Sequence, residues 1–398
     1  MTMKDKNILL CVTGSIAAYK SIDLYRRLVK EGANVEVIIS EGGSNFVPPF
    51  VFESFGESVY TDDAFKYPLA HISLSKFADL ILIAPATFNT INKIASGIAD
   101  SLITLVVSAS SDTPKLVVPS MNSSMYSNKI LQDNIKKLEE YNFYSMKPAE
   151  GGLACGDIGE GKFPEIEDIM FEIERVFAKK VLSGKRVLVT AGGTREYLDP
   201  VRFLSNGSSG RMGIALANEA IKAGAIATLI SLNIEKSCHY INKGIRNIEC
   251  RDFSELRQAL GKEFKKTDIL IMAAAVSDFS FKTKSSKKIK KTGLKKSLEI
   301  IPNEDLLKML SKEKRKNQLL MGFAAEDAGI LENGIKKLKE KSLDYIFIND
   351  ISRNIIGKDE NEGILIKKTK KGILKKIFER QAKKMLASKL ISEIGEKT

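Results

Sequence analysis

Apolar residues in this chain come in short β-branched runs that break into glycine- or serine-containing turns, each followed by an amphipathic stretch. From Asn7, "NILLCVTGSIAAYK" opens the pattern, and helix-like "YKSIDLYRRLVKEG" and strand-like "NVEVIIS", "DLILIAPAT" and "PKLVVPSMN" continue it. From Lys185, "KRVLVTAGGTREY" opens it again, ahead of "GIALANEAIKAG", "IATLIS", "DILIMAAAVSDF", "LLMGFAAE" and "LDYIFIND". Strands that are apolar throughout, alternating with helices, suit a parallel sheet covered on both faces, where neither side of a strand meets water. The pattern predicts an α/β protein of two Rossmann-like doubly wound domains. Between them, "EIEDIMFEIERVFAKKVLSG" reads as an amphipathic helix ending at Gly184, which gives domains over residues 1–184 and 185–398.

Such sheets bind ligands at the carboxyl ends of their strands, beside the point where strand order reverses. Polar turns after strands are therefore the candidates. In the first half these are Gly14-Ser15, the turn opening at Ser40, and "PATFNT" from Pro85 to Thr90. A strand-to-helix turn can aim N–H groups and the helix dipole at a phosphate, although a glycine there is as often a steric need. No GxGxxG occurs, which disfavours NAD and leaves flavin mononucleotide as the better fit. His71 is one of two histidines, and a lone histidine is more often structural than catalytic. Asn122, in "PSMNSSMY", can donate its amide to a carboxylate or simply hold a turn.

In the second half, "AGGTREYLDPVRFLSNGSSGRMG" can wrap a phosphate with backbone donors, with Arg202 and Arg211 as charge partners. The run "KTKSSKKIKKTGLKK" holds eight lysines in fifteen residues. It lacks interleaved aromatics and sits between predicted strands, so it reads as a loop closing over a triphosphate rather than a nucleic-acid tail.

Composition narrows the picture only a little. The chain has 398 residues and no run of 18 apolar residues, which suits a soluble protein. Its formal charge of +13 favours anionic partners, and nucleic acid, membrane headgroups and phosphorylated metabolites would all satisfy it, so the expectation of phosphorylated metabolites without nucleic acid or membrane rests on the motifs. Cys11, Cys155, Cys238 and Cys250 show no CxxC spacing, so a reducing, cytoplasmic setting is expected. Cys238 and His239 are adjacent but lack further metal ligands nearby, and read as a surface loop.

Four motifs of the first half, "GSIAAYK", "AHISLSKFADLILIAPATFNTINKIASGIADSLIT", "PSMNSSMY" and "GGLACGDIGEGK", resemble the flavin-dependent cysteine decarboxylases, specifically the phosphopantothenoylcysteine decarboxylase domain. The resemblance implies a flavodoxin-like fold, with FMN held by Gly14, Ser15, Ser40, Ala86, Thr87 and Asn89. It also implies His71 as base or thiol-orienting group, Asn122 on the substrate carboxylate, and Cys155 as proton donor. A thiol near its ordinary pKa of about 8.5 is mostly protonated at neutral pH and can serve as an acid. Phe88 stands where the family usually has a small residue, and Ser40-Glu41-Gly42 where it usually has Thr and other small residues.

The second half, through "TAGGTREYLDPVRFLSNGSSGRMG", "AAAVSDF", "KIKK", "GFAAE" and "KLKEKSLDYIFIND", resembles the phosphopantothenate–cysteine ligase domain. That resemblance implies that CTP and 4'-phosphopantothenate form an acyl-cytidylate, from which L-cysteine displaces CMP. Lys288 matches the lysine of the first step and Asn206 a residue of the second. Nucleotide contacts carry over to Met272, Ala273, Ala274, Asp278, Lys288, Asp305, Phe323, Lys337 and Lys341. Arg202, Ser208, Gly210 and Arg211 are expected at the phosphopantothenate, Arg211 standing where lysine is commoner, and Mg2+ is expected with the triphosphate. Decarboxylases of this type form trimers with active sites near subunit contacts, and the ligase domains pair, so a homo-oligomer up to a dodecamer is implied. Two rivals are a peptidyl-cysteine decarboxylase-type flavoprotein and a non-enzymatic, phosphatase-regulating relative. After Ile366 the resemblance fades into a basic tail, read as helical and without chemistry.

Overall fold

The computed structural model describes residues 3–56, 59–62, 66–152, 156–234, 240–290, 297–350, 352, 358–369 and 372–396. It divides into two units, Met1–Ala178 and Lys179–Thr398. The helix expected to run to Gly184 spans Ile166–Phe177, and Leu182 beyond it is fully buried in the second unit's core, so residues 179–184 go with the second unit.

In the first unit, β1 (Asn7–Val12), β2 (Asn34–Ile39), β3 (Val59–Thr61), β4 (Leu80–Ala86), β5 (Lys115–Pro119) and β6 (Phe143–Ser145) form one parallel sheet in the order β3-β2-β1-β4-β5-β6. Order reverses between β1 and β4. Successive residues of these two strands feed opposite layers: Ile8, Leu10, Leu80 and Leu82 face one core, while Leu9, Cys11, Ile81 and Ile83 face the other. This explains why the strands read as unbroken apolar runs. A two-stranded antiparallel hairpin, β7 (Ala149–Gly152) and β8 (Ile158–Lys162), stands apart from the sheet.

The second unit repeats the plan. Its strands are β9 (Arg186–Gly192), β10 (Arg195–Tyr197), β11 (Phe203–Ser205), β12 (Ile226–Leu232), β13 (Arg246–Cys250), β14 (Ile269–Met272), β15 (Phe279–Phe281), β16 (Ile300–Pro302), β17 (Leu319–Glu326), β18 (Tyr345–Asp350), β19 (Glu360–Thr369) and β20 (Gly372–Ala382). The main sheet runs β13-β12-β9-β14-β17-β18-β19-β20, with order reversing between β9 and β14. β19 and β20 add antiparallel to the parallel part, whereas β10–β11 and β15–β16 are separate two-stranded arms. The two doubly wound α/β domains predicted from periodicity are thus what the chain builds. The tail predicted as helical is half strand: residues 372–382 are β20, and only Lys383–Gly395 is helix, packed through Leu386, Leu390, Ile391 and Ile394. Cys11 and Cys250 are buried, and burial pushes both thiols up, Cys250 to about 11.

Leu82, at the centre of β4 and fully buried, tests the first core. Leu82→Ala is expected to lower unfolding free energy by about 2–5 kcal/mol, read from the midpoint of urea unfolding.

Candidate active sites

Four strands of the first unit end at one cavity of about 1350 Å³. After β1, Ser15 caps the following short helix, its Oγ accepting from the Ala17 N–H. After β2, Ser40 accepts from the Gly43 N–H; after β4, Thr87 accepts from the Thr90 N–H; after β5, Asn122 accepts from the Ser124 N–H at 2.8 Å. All four line the cavity, so each side chain terminates a helix and rims the site at once. Ser15 also donates to the Ser120 hydroxyl at 3.2 Å, tying the β1 and β5 ends together. Beneath them Thr13, almost fully buried, donates to the Pro85 carbonyl at 2.7 Å and accepts from the Thr87 N–H at 3.0 Å. One hydroxyl thereby fixes the gap across the reversal between β1 and β4.

The structure places Gly14, Ser15, Ser40, Thr87, Asn89 and Asn122 on this cavity, and Phe88 as well. Ala86 does not reach it: its side chain is fully buried in the layer beneath, while its carbonyl accepts from the Ser120 N–H. His71 also stays off the lining, half-buried on the helix Ala70–Phe77, whose Ala70 and Leu74 face the core. Cys155 lies outside the described residues. Its flanking strands are placed, because Gly152 and Lys162 line the cavity and Met121 N–H donates to Gly161 O at 3.0 Å. Gly161 has φ +146°, and a Cβ there would sit 2.1 Å from the Met121 carbonyl oxygen. Only glycine lets β8 lie this close to the Asn122 turn.

Polar groups not singled out from the sequence complete this cavity. Lys93 pairs with Asp100 at 2.6 Å, which holds the Asp100 carboxyl below its ordinary range. Asp62, beside them, accepts from the Ile103 N–H at 2.9 Å; burial pushes its carboxyl up against that bond's opposing pull. Asp62 directly follows the short strand β3, Lys93 lies on the helix Phe88–Ala95 and Asp100 in the loop beyond it, so they are brought together only by the fold.

The second unit's cavity, about 530 Å³, opens at the equivalent strand ends. Thr190 on β9 plays the part of Thr13: its hydroxyl accepts from the Ala274 N–H at 3.1 Å, across the reversal to β14. Asn206, Ser208, Gly210 and Arg211 line one side, Met272, Ala273, Ala274 and Asp278 the next, and Asp305, Phe323, Lys337 and Lys341 the remainder. Gly210 adopts φ +75° and caps the helix Arg211–Lys222 without a side-chain bond, leaving its first turn turned to the cavity. Asn206 donates its amide to the Val276 carbonyl at 3.2 Å. Asp305 caps the helix Leu306–Lys312 and pairs with Lys341 at 2.8 Å; burial would raise its carboxyl, but Lys341 and the Lys308 N–H outweigh this and hold it low.

Arg202 and Lys288, expected among these residues, do not line the cavity of this chain. They are held beside each other on the two arms. Asp199, between β10 and β11, accepts from the Val201 and Arg202 N–H groups at 2.8 Å, from the Arg202 guanidinium and from the Ile289 N–H at 3.2 Å. Burial alone would raise its carboxyl; these donors hold it below its ordinary range. Ser285 N–H adds a bond to the Leu198 carbonyl, so the lysine-rich segment is stitched to the Arg202 turn at two points. Lys288 itself is exposed.

Three further residues of this cavity were not identified from the sequence: Asn349, Asn361 and Lys383. Among the described residues the Asn349 Oδ1 is buried without a hydrogen-bond partner, an acceptor that a ligand N–H or O–H can satisfy. Lys383 comes from the tail after Ile366 that was read as lacking chemistry, and Asn361 from the start of β19, inside the region of the resemblance but not named by it. Among the described residues no group of three His, Cys, Asp or Glu side chains forms a metal cluster, and no helix is long and apolar enough to cross a membrane. Cys238 and His239 lie outside the described residues.

Two family models divide the chain where the units divide. The Flavoprotein model matches residues 1–178, and the DNA/pantothenate metabolism flavoprotein C-terminal domain model matches residues 182–397. The chain is therefore a two-unit flavoprotein, and the second match runs past Ile366, where the resemblance was expected to fade. The Bacillus subtilis (strain 168) protein called Coenzyme A biosynthesis bifunctional protein CoaBC is 40% identical over 365 residues, covering 89% of this chain and 88% of its own length. The Vibrio cholerae protein of the same name is 37% identical over 370 residues, 92% of each chain. A crystal structure of the C-terminal domain of such a protein is 30% identical over 55% of this chain and 98% of its own, with a TM-score of 0.47. The chain belongs to the family of bifunctional coenzyme A biosynthesis proteins, and carries a decarboxylase and a phosphopantothenate–cysteine ligase on one polypeptide.

Gly161→Ala is expected to destabilise the first unit by about 1–3 kcal/mol and to weaken flavin retention, measured by thermal melting and by flavin absorbance after gel filtration. Asp199→Asn removes the charge but keeps the shape; amide hydrogen exchange should quicken at Ser285 and Ile289 while β9 remains protected.

Proposed function

We propose that the first unit binds FMN in the cavity below Ser15, Ser40, Thr87 and Asn122 and decarboxylates 4'-phosphopantothenoylcysteine, the product that the second unit makes from 4'-phosphopantothenate, L-cysteine and CTP. The observation that carries this reading is the convergence of four capped strand ends on one cavity large enough for a flavin and a substrate together. The N-terminus of the helix Phe88–Ala95 and the Gly14-Ser15 turn offer N–H groups to a phosphate, and the apolar faces of Ile16, Phe88 and Met125 suit a planar ring. Bound flavin supplies a two-electron acceptor there. In this reading Asn122, on the cavity lining, holds the substrate carboxylate, and Cys155, which lies outside the described residues, delivers a proton.

His71 fits this scheme through a second copy of the chain. Beside it Leu69 and Ile72 are exposed, 71% and 38%, and Ile16 and Tyr19 at the cavity mouth are each 57% exposed. Apolar surface of that kind calls for cover, and a trimer that supplies it would bring His71 of one copy to the cavity of the next. Pairing of the second units in the same way would bring Arg202 and Lys288 on their arms to a neighbouring cavity. Mg2+ would arrive with the triphosphate and be held mainly by its phosphate oxygens, with Asp278 on the cavity lining as a carboxylate within the site.

The test is to supply the purified protein with phosphopantothenate, cysteine and CTP, and to follow pyrophosphate and carbon dioxide. His71→Asn should cut carbon dioxide release by about 100-fold or more while pyrophosphate release persists. Loss of both together would refute separate sites. Lys288→Gln should stop pyrophosphate release, whereas Asn206→Asp should allow the acyl-cytidylate to accumulate; the reverse pattern would exchange their roles.

A further inference from the structure

The second cavity has a wall of which the family-derived contacts reach only the Gly210–Arg211 end, leaving out Asn361 and Lys383. It is made where three segments distant in sequence meet: the first turn of the helix Arg211–Lys222, the start of β19, and the first residue of the terminal helix Lys383–Gly395. Lys383 is latched in place because its N–H donates to the Asp359 carbonyl at 2.9 Å. Its side chain lines the cavity, half-buried, and among the described residues its ammonium meets only the Lys358 carbonyl. The nearby carboxylate, Asp359, is bound instead to Arg211, at 2.8 Å. Burial, and then the Arg211 charge, push the Lys383 ammonium down, against the smaller upward pull of the Asp359 carboxylate. Two cations thus share one wall and one nearby carboxylate, and among the described residues the direct ion pair goes to Arg211.

Asn361 adds a second, independent sign. It is 3% exposed and lines the same wall. Its Oδ1 accepts from the Glu362 N–H at 2.9 Å, but among the described residues its amide nitrogen meets only the Met212 sulfur, at 4.0 Å. A thioether is a weak acceptor, so a buried NH2 group remains poorly satisfied. The pairing of β19 with β20 shifts register between Asn361 and Gly363, an irregularity that re-aims a side chain at a sheet edge. A depressed ammonium, an under-bonded buried amide and a helix N-terminus without a side-chain cap all lack the same thing, an anion with several acceptor oxygens.

We propose that Lys383 and Asn361, together with the first turn of the helix Arg211–Lys222, form a phosphoryl-binding wall that grips one of the ligase's phosphorylated substrates. The stretch beyond β19 then belongs to the active site as well as to the fold. This rests on the ligase assignment of the second unit, but its test includes a binding measurement that needs no turnover. Titration calorimetry of the full chain with inorganic pyrophosphate is set beside the KM values of CTP and of phosphopantothenate. In Lys383→Gln, pyrophosphate affinity should fall about tenfold, with Lys383→Arg restoring most of it. A matching rise in the KM of CTP assigns the wall to the triphosphate. A rise confined to the KM of phosphopantothenate, with pyrophosphate binding intact, assigns it to that substrate's phosphate monoester. Asn361→Asp, which keeps the size and adds a negative charge, should weaken the same quantity, and it decides the matter if Lys383→Gln does not fold. Unchanged pyrophosphate affinity and unchanged KM for both substrates in folded Lys383→Gln and Asn361→Asp would overturn the proposal.

Discussion

Both units depend on a buried threonine hydroxyl at the reversal of strand order. In the first, Thr13 bridges the end of β1 to Pro85 and Thr87 beyond β4; in the second, Thr190 on β9 receives the Ala274 N–H beyond β14. Connections from these neighbouring strands leave the sheet in opposite directions, so the reversal opens a crevice. The hydroxyl adds to backbone bonds that cross at the same place, from the Thr13 N–H to the Pro85 carbonyl in the first unit and from the Ala275 N–H to the Gly192 carbonyl in the second, so that polar groups at the sheet's buried edge find partners. The hydroxyl closes the crevice at its base and leaves its mouth for a ligand.

From that constraint the chemistry of the first site follows. Each strand arriving at the crevice hands over to a helix, and each helix needs a side chain to cap its opening N–H groups. Ser15, Ser40, Thr87 and Asn122 do this and line the cavity in the same act. Capping and ligand binding draw on the same residue types for the same electrostatic reason. A serine or asparagine at a strand end is therefore ambiguous in the sequence and becomes informative only when several converge.

The second site shows how a sheet extension can change a cavity. β19 and β20 run antiparallel to the strands before them and carry the chain back so that the terminal helix starts beside the helix Arg211–Lys222. The arms bearing Arg202 and Lys288 are built oppositely, held to each other by Asp199 and kept off the cavity of their own chain. One part of the polypeptide is folded into the site, and another is held ready outside it.

Periodicity alone determined the class of fold, because parallel strands covered on both faces are apolar on both, and β1 after Asn7, β4, β14 and the Val187–Val189 run of β9 are. Polar turns at strand ends likewise pointed to Gly14, Thr87 and Asn122, which line the first cavity, whereas Asn206 and Phe323 of the second were reached only through the family resemblance. The short strands β3, β6 and β13, the arms and the β19–β20 ribbon left no such signature: they are short or exposed, so their side chains do not have to be apolar. Tertiary structure alone decided that Ala86 faces the core, that His71 and Lys288 stay off their own chain's cavities, and that Lys383 enters one. The physical reason is that local sequence fixes which face of an element is buried. Which distant element then covers that face depends on register and chain reversal across the whole sheet.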